Sequence, residues 1–406
     1  MSTTEVATMF SSIAAAPPDS ILGLTEAWKK DPNPKKVNLG VGVYKDENGQ
    51  TPILVAVKAA EAVILASAVT KSYMPIVGDP GYGRQVQEMI FGAGHDVLTA
   101  GRARTAHTPG GTAALRVGAD FLKKFFPNAK VWVSSPTWAN HKAVFAAAGI
   151  TSEDYPYYDP ATRGLAFDRM KEALANVPAG DIVLLHACCH NPTGVDLSDV
   201  QWLAIAAIAS SKGWMPFLDF AYQGYGTGLE QDRAGLLALA KACPELLVAS
   251  SFSKNFGLYQ DRTGALTLVA ADAKSADAAF SNIEIAIRVN YSNPPAHGGL
   301  IVTKILGDAN LRAQWIGELT AMREHIASTR NLFVDALKKK GVPGDFSFII
   351  RQKGMFSFSG LTDDQVRFLR EKKSIYMVAG GRINVAGITG KNIDYLCESI
   401  AEAVRG

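Results

Sequence analysis

The sequence predicts an α/β protein with a large domain, built on a mainly parallel central sheet covered by helices on both faces, and a smaller α/β domain. Three observations carry that expectation. Continuous apolar runs alternate with helix-period stretches from about residue 105 to 272, as strands buried on both faces do. The last two runs, 246–250 and 264–270, lie too close for a helical crossover, so one antiparallel neighbour is expected. A C-terminal third of short strands and helices follows one long helical stretch. At about 150 residues per domain, 406 residues suit two or three.

The elements follow in order. Residues 1–14 read as an arm, because Pro17 and Pro18 break any early helix. Ile21 to Lys30 offers a short helix that Asp31-Pro-Asn-Pro34 stops. Lys36 to Tyr44 is extended, and Asp46-Glu-Asn-Gly49 turns the chain. Val55 to Thr70 is helical in period, with Val57, Ala60, Ile64 and Ala68 on one side. Tyr73 to Gly83, rich in Pro and Gly, reads as a structured loop.

Gly110-Gly111-Thr112 then opens a helix to Phe126. Strands are expected at 130–134, 181–186, 214–219, 246–250 and 264–270, with helices near 145–148, 197–210 and 229–242 between them. A long helix from Leu311 to Lys340 ends at Gly341-Val-Pro-Gly344. Short strands are expected at 346–350, 355–358 and 376–378, and helices at 363–372 and 392–404. The expected division is a small domain of residues 15–47 and 325–406 and a large domain of residues 48–324.

Composition mainly excludes. Lys plus Arg is 41 and Asp plus Glu 38, so the net charge of +3 argues against a nucleic-acid or membrane binder. At 48% hydrophobic residues the chain is not disordered. Four cysteines, two of them the adjacent Cys188 and Cys189, do not make a disulfide scaffold. No apolar run is long enough to span a bilayer, and the N-terminus lacks the features of a secretory signal or organelle presequence. A cytoplasmic location is therefore expected. Glycine is in excess, 37 of 406 residues, and much of it falls in turns beside polar residues.

Ligands of an open parallel sheet bind beyond the carboxyl ends of its strands. The residues just after the apolar runs are Trp138, His141, His190, Asn191, Asp219, Tyr222, Ser251, Ser253, Lys254 and Arg262. A lysine following a buried strand is partly desolvated, which favours the neutral amine that a Schiff base requires. Alone, Lys254 reads as a surface lysine. Its setting argues otherwise: Ser251, Ser253 and Arg262 supply hydroxyls and a fixed cation, and Gly111 and Thr112 free N–H groups, as a phosphate cup would. Asp219 must find a partner or a proton, and a protonated ring nitrogen would serve. Tyr222 could reach another polar atom of that ring, and Trp138 could lie flat against it. His186, Cys188 and His190 share one strand face, a conceivable zinc set. Residues two apart on a strand splay outward, however, so buried thiols and supporting histidines are the expectation, with no metal.

Nine ordered segments carry a resemblance. They are Val37-Asn-Leu-Gly-Val-Gly-Val-Tyr44, Tyr73-Met-Pro-Ile-Val-Gly78, Thr108-Pro-Gly-Gly-Thr112, Pro136-Thr-Trp-Ala-Asn-His141, Cys188-Cys-His-Asn-Pro-Thr-Gly194, Asp219-Phe-Ala-Tyr-Gln-Gly224, Ser251-Phe-Ser-Lys-Asn-Phe-Gly257, Asn290-Tyr-Ser-Asn-Pro-Pro295 and Gly381-Arg-Ile-Asn-Val-Ala-Gly387. From about residue 10 to 404 the chain resembles the fold type I aminotransferases that use pyridoxal 5′-phosphate, specifically the aspartate aminotransferase family.

That resemblance implies roles. Lys254 would carry the Schiff base to the cofactor, and Asp219, with His141 behind it, would pair with the pyridine nitrogen. Tyr222 and Asn191 would bond the phenolic oxygen, and Trp138 would stack on the ring. Gly111, Thr112, Ser251, Ser253 and Arg262 would surround the phosphate, joined by Tyr73 from a second copy of the chain. Arg382, helped by Asn191 and the backbone of Gly42, would bind the substrate α-carboxylate. Arg288 from the second copy would bind the side-chain carboxylate. The implied assembly is a homodimer with shared active sites, contacted by the N-terminal arms. The implied reaction is reversible ping-pong transfer of an amino group from L-aspartate to 2-oxoglutarate; the alternative is a broad aromatic aminotransferase. Of the positions that tend to separate these two groups, Val43, Lys45, Thr51, Thr112 and Asn293 follow the aspartate pattern. Ser72 departs from it, where asparagine is usual.

Overall fold

The structure, a computed structural model, describes residues 8–16 and 22–406. Residues 1–7 of the expected arm, the Pro17-Pro18 break and Ile21 lie outside the described residues. Of the rest of the arm, Met9, Phe10 and Ile13 are exposed.

Among the described residues, seven strands form the main sheet. Their spatial order is Ala103–Pro109, Thr263–Val269, Leu246–Ser251, Met215–Phe220, Ile182–His186, Val131–Ser135 and Ser152–Pro156. Thr263–Val269 runs antiparallel to both of its neighbours, and the other pairings are parallel. The antiparallel strand expected from the spacing of the last two runs is thus present. Alternation along the strands explains why their sequences are apolar throughout. Ile182 and Leu184 enter one hydrophobic cluster, with Leu115 and Phe121 of the helix Gly110–Phe125. Val183 and Leu185 enter another on the opposite face, with Trp202 and Ile205 of the helix Asp199–Lys212. Each strand therefore buries side chains on both faces.

A third cluster gathers Val37 and Leu39 with Phe333, Leu337, Ile375, Ile383, Leu396 and Ile400. Val37–Asn38 pairs in parallel with Ile375–Tyr376, which draws the early extended segment into the C-terminal unit. The helix Ala309–Lys339 serves both cores: Trp315, Leu319, Met322 and Ile326 pack into the large one, and Phe333 and Leu337 into the third. Trp315 also stacks on Phe256 at 4.3 Å between ring centroids and donates to the Asn255 carbonyl at 2.7 Å. The long helix is thereby fastened to the loop that carries Lys254. No helix among the described residues is long and apolar enough to cross a membrane.

Several local expectations need correction. Residues 346–350 are not a strand. Asp345 accepts from the backbone and hydroxyl of Ser347, at 2.8 and 2.9 Å, and the turn leads into the short helix Phe348–Arg351. The expected loop at 73–83 ends early, because Asp79 caps the Tyr82 N–H and Pro80 opens the helix Pro80–Phe91. The helix expected from Leu229 begins only at Ala234, since the Asp232 carboxylate gathers the N–H groups of Gly224, Gly226, Thr227 and Gly228 into a turn. The strands Ala103–Pro109 and Ser152–Pro156 and the helices Ala273–Asn290 and Ala296–Gly307 were not expected.

Replacing Trp315 with alanine removes a fully buried indole and its hydrogen bond. It should lower unfolding stability by about 3–5 kcal/mol, measured by urea denaturation of the cofactor-free protein.

Candidate active site

Five strand ends deliver the site. Ser251 closes one strand, and Ser253 and Lys254 follow it directly. Asp219 lies at the end of the next, with Tyr222 just beyond, while Asn191, Trp138 and the Gly110-Gly111 helix start follow three others. Their side chains line one cavity of about 460 Å³, together with Gly42, Thr112, Arg262 and Arg382. These are the expected residues, with three exceptions. His141 sits behind the cavity wall, fully buried. Tyr73 and Arg288 do not line the cavity of their own chain: Tyr73 is 93% exposed, and Arg288 is exposed and donates to Ser292.

Burial controls the charges. Lys254 is enclosed, and desolvation pulls its ammonium down to about 8; Asp219 opposes the shift and Arg262 adds to it. Its Nζ lies over the Tyr222 ring, 4.7 Å from the centroid. Burial raises the affinity of the Asp219 carboxyl for a proton, but the hydrogen bond and charge of His141 more than offset it, so Asp219 stays below the usual carboxylate range. Its Oδ2 is 2.9 Å from His141 Nε2, and His141 Nδ1 is 2.8 Å from Thr137 Oγ1. His186 and His190 stand behind, their rings 4.3 Å apart, and His190 is stacked on Tyr157. Burial holds His186 down to about 3 and His190 well below the usual histidine range, so both are neutral.

The zinc set weighed from sequence does not gather. The compact group is instead His141, His186 and Asp219, whose ligand atoms lie within 4.8 Å of one another, and Asp219 there is already bonded to His141. Cys188 and Cys189 are buried free thiols, and desolvation raises both.

At one end of the cavity, the helix Gly110–Phe125 presents its first N–H groups beside Ser251, Ser253 and Arg262. Gly110 has φ +82°, and a Cβ there would stand 2.5 Å from the Arg262 guanidinium, so the cation and the helix terminus converge on one spot. At the other end, Arg382 is buried. It donates to Asn191 Oδ1 at 3.3 Å and the Gly40 carbonyl at 2.6 Å, and its Nε has no partner. Burial brings its guanidinium down to about 10, and it remains a cation at neutral pH. Asn384 holds the adjacent loop through the carbonyls of Val41 and Val43.

This donor set fits pyridoxal phosphate: an anion cup at a helix terminus, an ionised carboxylate beside a flat aromatic wall, and a desolvated amine between them. A buried guanidinium whose Nε has no partner fits a carboxylate substrate.

Four residues on the cavity wall were not expected from sequence, Leu115, Ala221, Tyr259 and Phe356, and the last two bear on the site. The Tyr259 hydroxyl accepts from the Tyr44 N–H at 2.8 Å, and the Phe356 ring lies 4.3 Å from the Arg382 guanidinium carbon. Tyr259 stood only two residues beyond the Ser251–Gly257 segment. Phe356 carried no signal, because an aromatic in a short strand reads as core.

The desolvation of Lys254 is measurable. In the cofactor-free protein, acylation of Lys254 followed by peptide mass spectrometry should rise with pH through a midpoint of about 8, because only the neutral amine reacts. A midpoint in the ordinary lysine range would show that the amine is solvated.

The family described as "Aminotransferase class I and II" matches residues 34–400. The aspartate aminotransferase of Escherichia coli K12 is 55% identical over 392 residues, covering 97% of this chain and 99% of that protein. The aromatic-amino-acid aminotransferase of the same organism is 43% identical, covering 97% and 99%. The crystal structure of an aromatic-amino-acid aminotransferase from Burkholderia pseudomallei, covalently bound to pyridoxal phosphate, superposes with a TM-score of 0.95 at 47% identity, covering 98% and 100%. A desolvated lysine, a paired aspartate and a waiting guanidinium thus stand in a chain that belongs to the class I and II aminotransferases.

Proposed function

We propose that this chain is an aspartate aminotransferase that uses pyridoxal 5′-phosphate to exchange amino groups between L-aspartate and 2-oxoglutarate. The observation that carries the reading is the pairing, in one cavity, of the desolvated Lys254 with the buried Arg382. The choice of aspartate is supported by 55% identity to an aspartate aminotransferase against 43% to an aromatic one from the same organism. Aromatic activity is the second reading, favoured by the Burkholderia structure.

Bound pyridoxal phosphate supplies an electron sink for the carbanion formed at the substrate Cα. The residues supply the rest. Gly111, Thr112, Ser251, Ser253 and Arg262 would hold the phosphate. Asp219, kept ionised by His141, would hold a proton on the pyridine nitrogen. Tyr222 and Asn191 would donate to the phenolic oxygen, and Trp138 would cover the ring. Arg382 and Asn191 would fix the α-carboxylate so that Cα–H faces Lys254, whose neutral amine would take the proton as general base and deliver it to C4′ of the cofactor. The same residues would then act in reverse on a 2-oxo acid.

The site is completed by Tyr73 and Arg288 from a second copy, in a cytoplasmic homodimer. Support comes from their position outside the cavity and from exposed apolar residues in the same segments: Leu65, Val69 and Val289 are 81%, 95% and 81% exposed. Residues 15–47 and 325–406 would form the small domain, supported by their separate core, and 48–324 the large one.

Arg288→Ala should damage turnover of aspartate far more than that of phenylalanine, because only the diacid loses a charge-assisted pair. Sharing between chains has its own signature. Mixed in equal amounts and reassembled, the inactive Lys254→Ala variant and Arg288→Ala should regain about a quarter of wild-type activity on aspartate, since half the dimers are mixed and each holds one complete site. No recovery in verified mixed dimers would show that Arg288 acts within its own chain.

A further inference from the structure

Arg382 must present a flat, forked guanidinium to a carboxylate, and a bidentate contact tolerates little rotation of that plane. Its own hydrogen bonds leave one of its three nitrogens unheld. One Nη reaches Asn191 at 3.3 Å, the other reaches the Gly40 carbonyl, and Nε has no partner. The guanidinium carbon lies over the ring of Phe356, 4.3 Å from its centroid.

That ring is itself wedged. A Cβ at Gly42 would come within 2.7 Å of Phe356 Cζ, so the substrate loop closes directly over it, and Tyr222 meets it edge-on at 6.1 Å. Strand pairing sets Phe356 opposite Asn384 and Phe358 opposite Arg382.

The backbone beneath it is held by another buried cation. Arg330, on the helix Ala309–Lys339, is 2% exposed and makes no salt bridge among the described residues. Its donors go to the carbonyls of Ile349 at 3.1 Å, Gly354 at 2.7 Å and Phe356 at 2.7 Å, and to the Ser357 hydroxyl. A guanidinium buried without a carboxylate is costly, so the strap it holds matters to the fold around it. The strap also packs on the Asn191 loop. Lys353 N–H donates to the Gly194 carbonyl at 2.7 Å, and Gly354 approaches Cys189 so closely that a Cβ would lie 2.5 Å from its side chain.

We propose that Phe356, braced by Arg330, is a positioning residue whose ring face sets the plane of the Arg382 guanidinium for bidentate capture of the substrate α-carboxylate. This rests on the reading of Arg382 as the α-carboxylate group. Both substrates carry that carboxylate, so both should respond equally to loss of the ring, whereas pyridoxal phosphate, held at the far end of the cavity, should not respond.

The test uses the holoenzyme with Phe356→Leu, Phe356→Met, Arg330→Lys and Arg382→Lys. Steady-state kinetics with aspartate and 2-oxoglutarate are read beside the dissociation constants of succinate, a diacid that cannot react, and of pyridoxal phosphate. In Phe356→Leu and Phe356→Met, KM for both substrates and the succinate dissociation constant should rise about tenfold, the scale of a lost partly desolvated cation–π contact. In these variants kcat should fall less than KM rises, and cofactor affinity should hold. Arg330→Lys should shift KM in the same direction as Phe356→Leu.

Unchanged KM and succinate binding in Phe356→Leu or Phe356→Met, beside a large increase in Arg382→Lys, would overturn the proposal while leaving the role of Arg382 intact. Unchanged values in Arg382→Lys would remove both. Loss of cofactor affinity in every folded Phe356 variant would make the ring a general cavity support and would also overturn the proposal.

Discussion

The structure depends on keeping a lysine amine desolvated opposite an aspartate that stays ionised. Water would satisfy both groups more cheaply, so the protein must supply what water would have supplied. Asp219 is buried at a strand end, where desolvation alone would drive it towards protonation. His141 reverses that with a 2.9 Å hydrogen bond and is itself held by Thr137. His186 and His190 fill the space behind without adding charge, because burial keeps both neutral. Lys254 then faces an anion without a direct ion pair to it, and desolvation brings its amine close to neutral pH. A tight Lys254–Asp219 pair would have stabilised the ammonium and taken away the base.

The two cores are arranged around this constraint. Parallel strands deposit the charged residues at one edge of the sheet, where the helix Gly110–Phe125 offers its N–H groups. The second core brings Arg382 across, and its contacts to Gly40 and Asn191 join segments more than a hundred residues apart. The helix Ala309–Lys339 runs through both cores, holding the Lys254 loop through Trp315 and the Phe356 strap through Arg330. The amine and the carboxylate-binding cation are thus referenced to one rigid element.

Much of this was legible in the sequence, for physical reasons. Strands buried on both faces leave continuous apolar runs, so the sheet and its polar rim were visible, and Lys254, Asp219, Tyr222 and Arg262 appeared as charges or hydroxyls where apolar runs end. Arg382 and Arg288 carried no such mark and were found only through resemblance. The failures share a cause. The strand Ala103–Pro109 contains Arg104, Thr105, His107 and Thr108; Arg104 and Thr105 find distant partners in Asp277 and Thr267, and local pattern cannot show that. Phe348 and Ile349 look like a strand until the Asp345 turn is known. Arg330 looks like one more helix arginine, because the carbonyls it holds lie in a distant segment of the chain.

The central claim is that the cavity stores and passes on one amino group per site, with Lys254 moving the proton. The most direct measurement is a half-reaction: purified holoenzyme mixed with excess aspartate in the absence of any 2-oxo acid. The account predicts release of one oxaloacetate per chain, after which the reaction stops until 2-oxoglutarate is added, and no release from Lys254→Ala. Continued oxaloacetate production without an oxo acid, or undiminished release from Lys254→Ala, would contradict it.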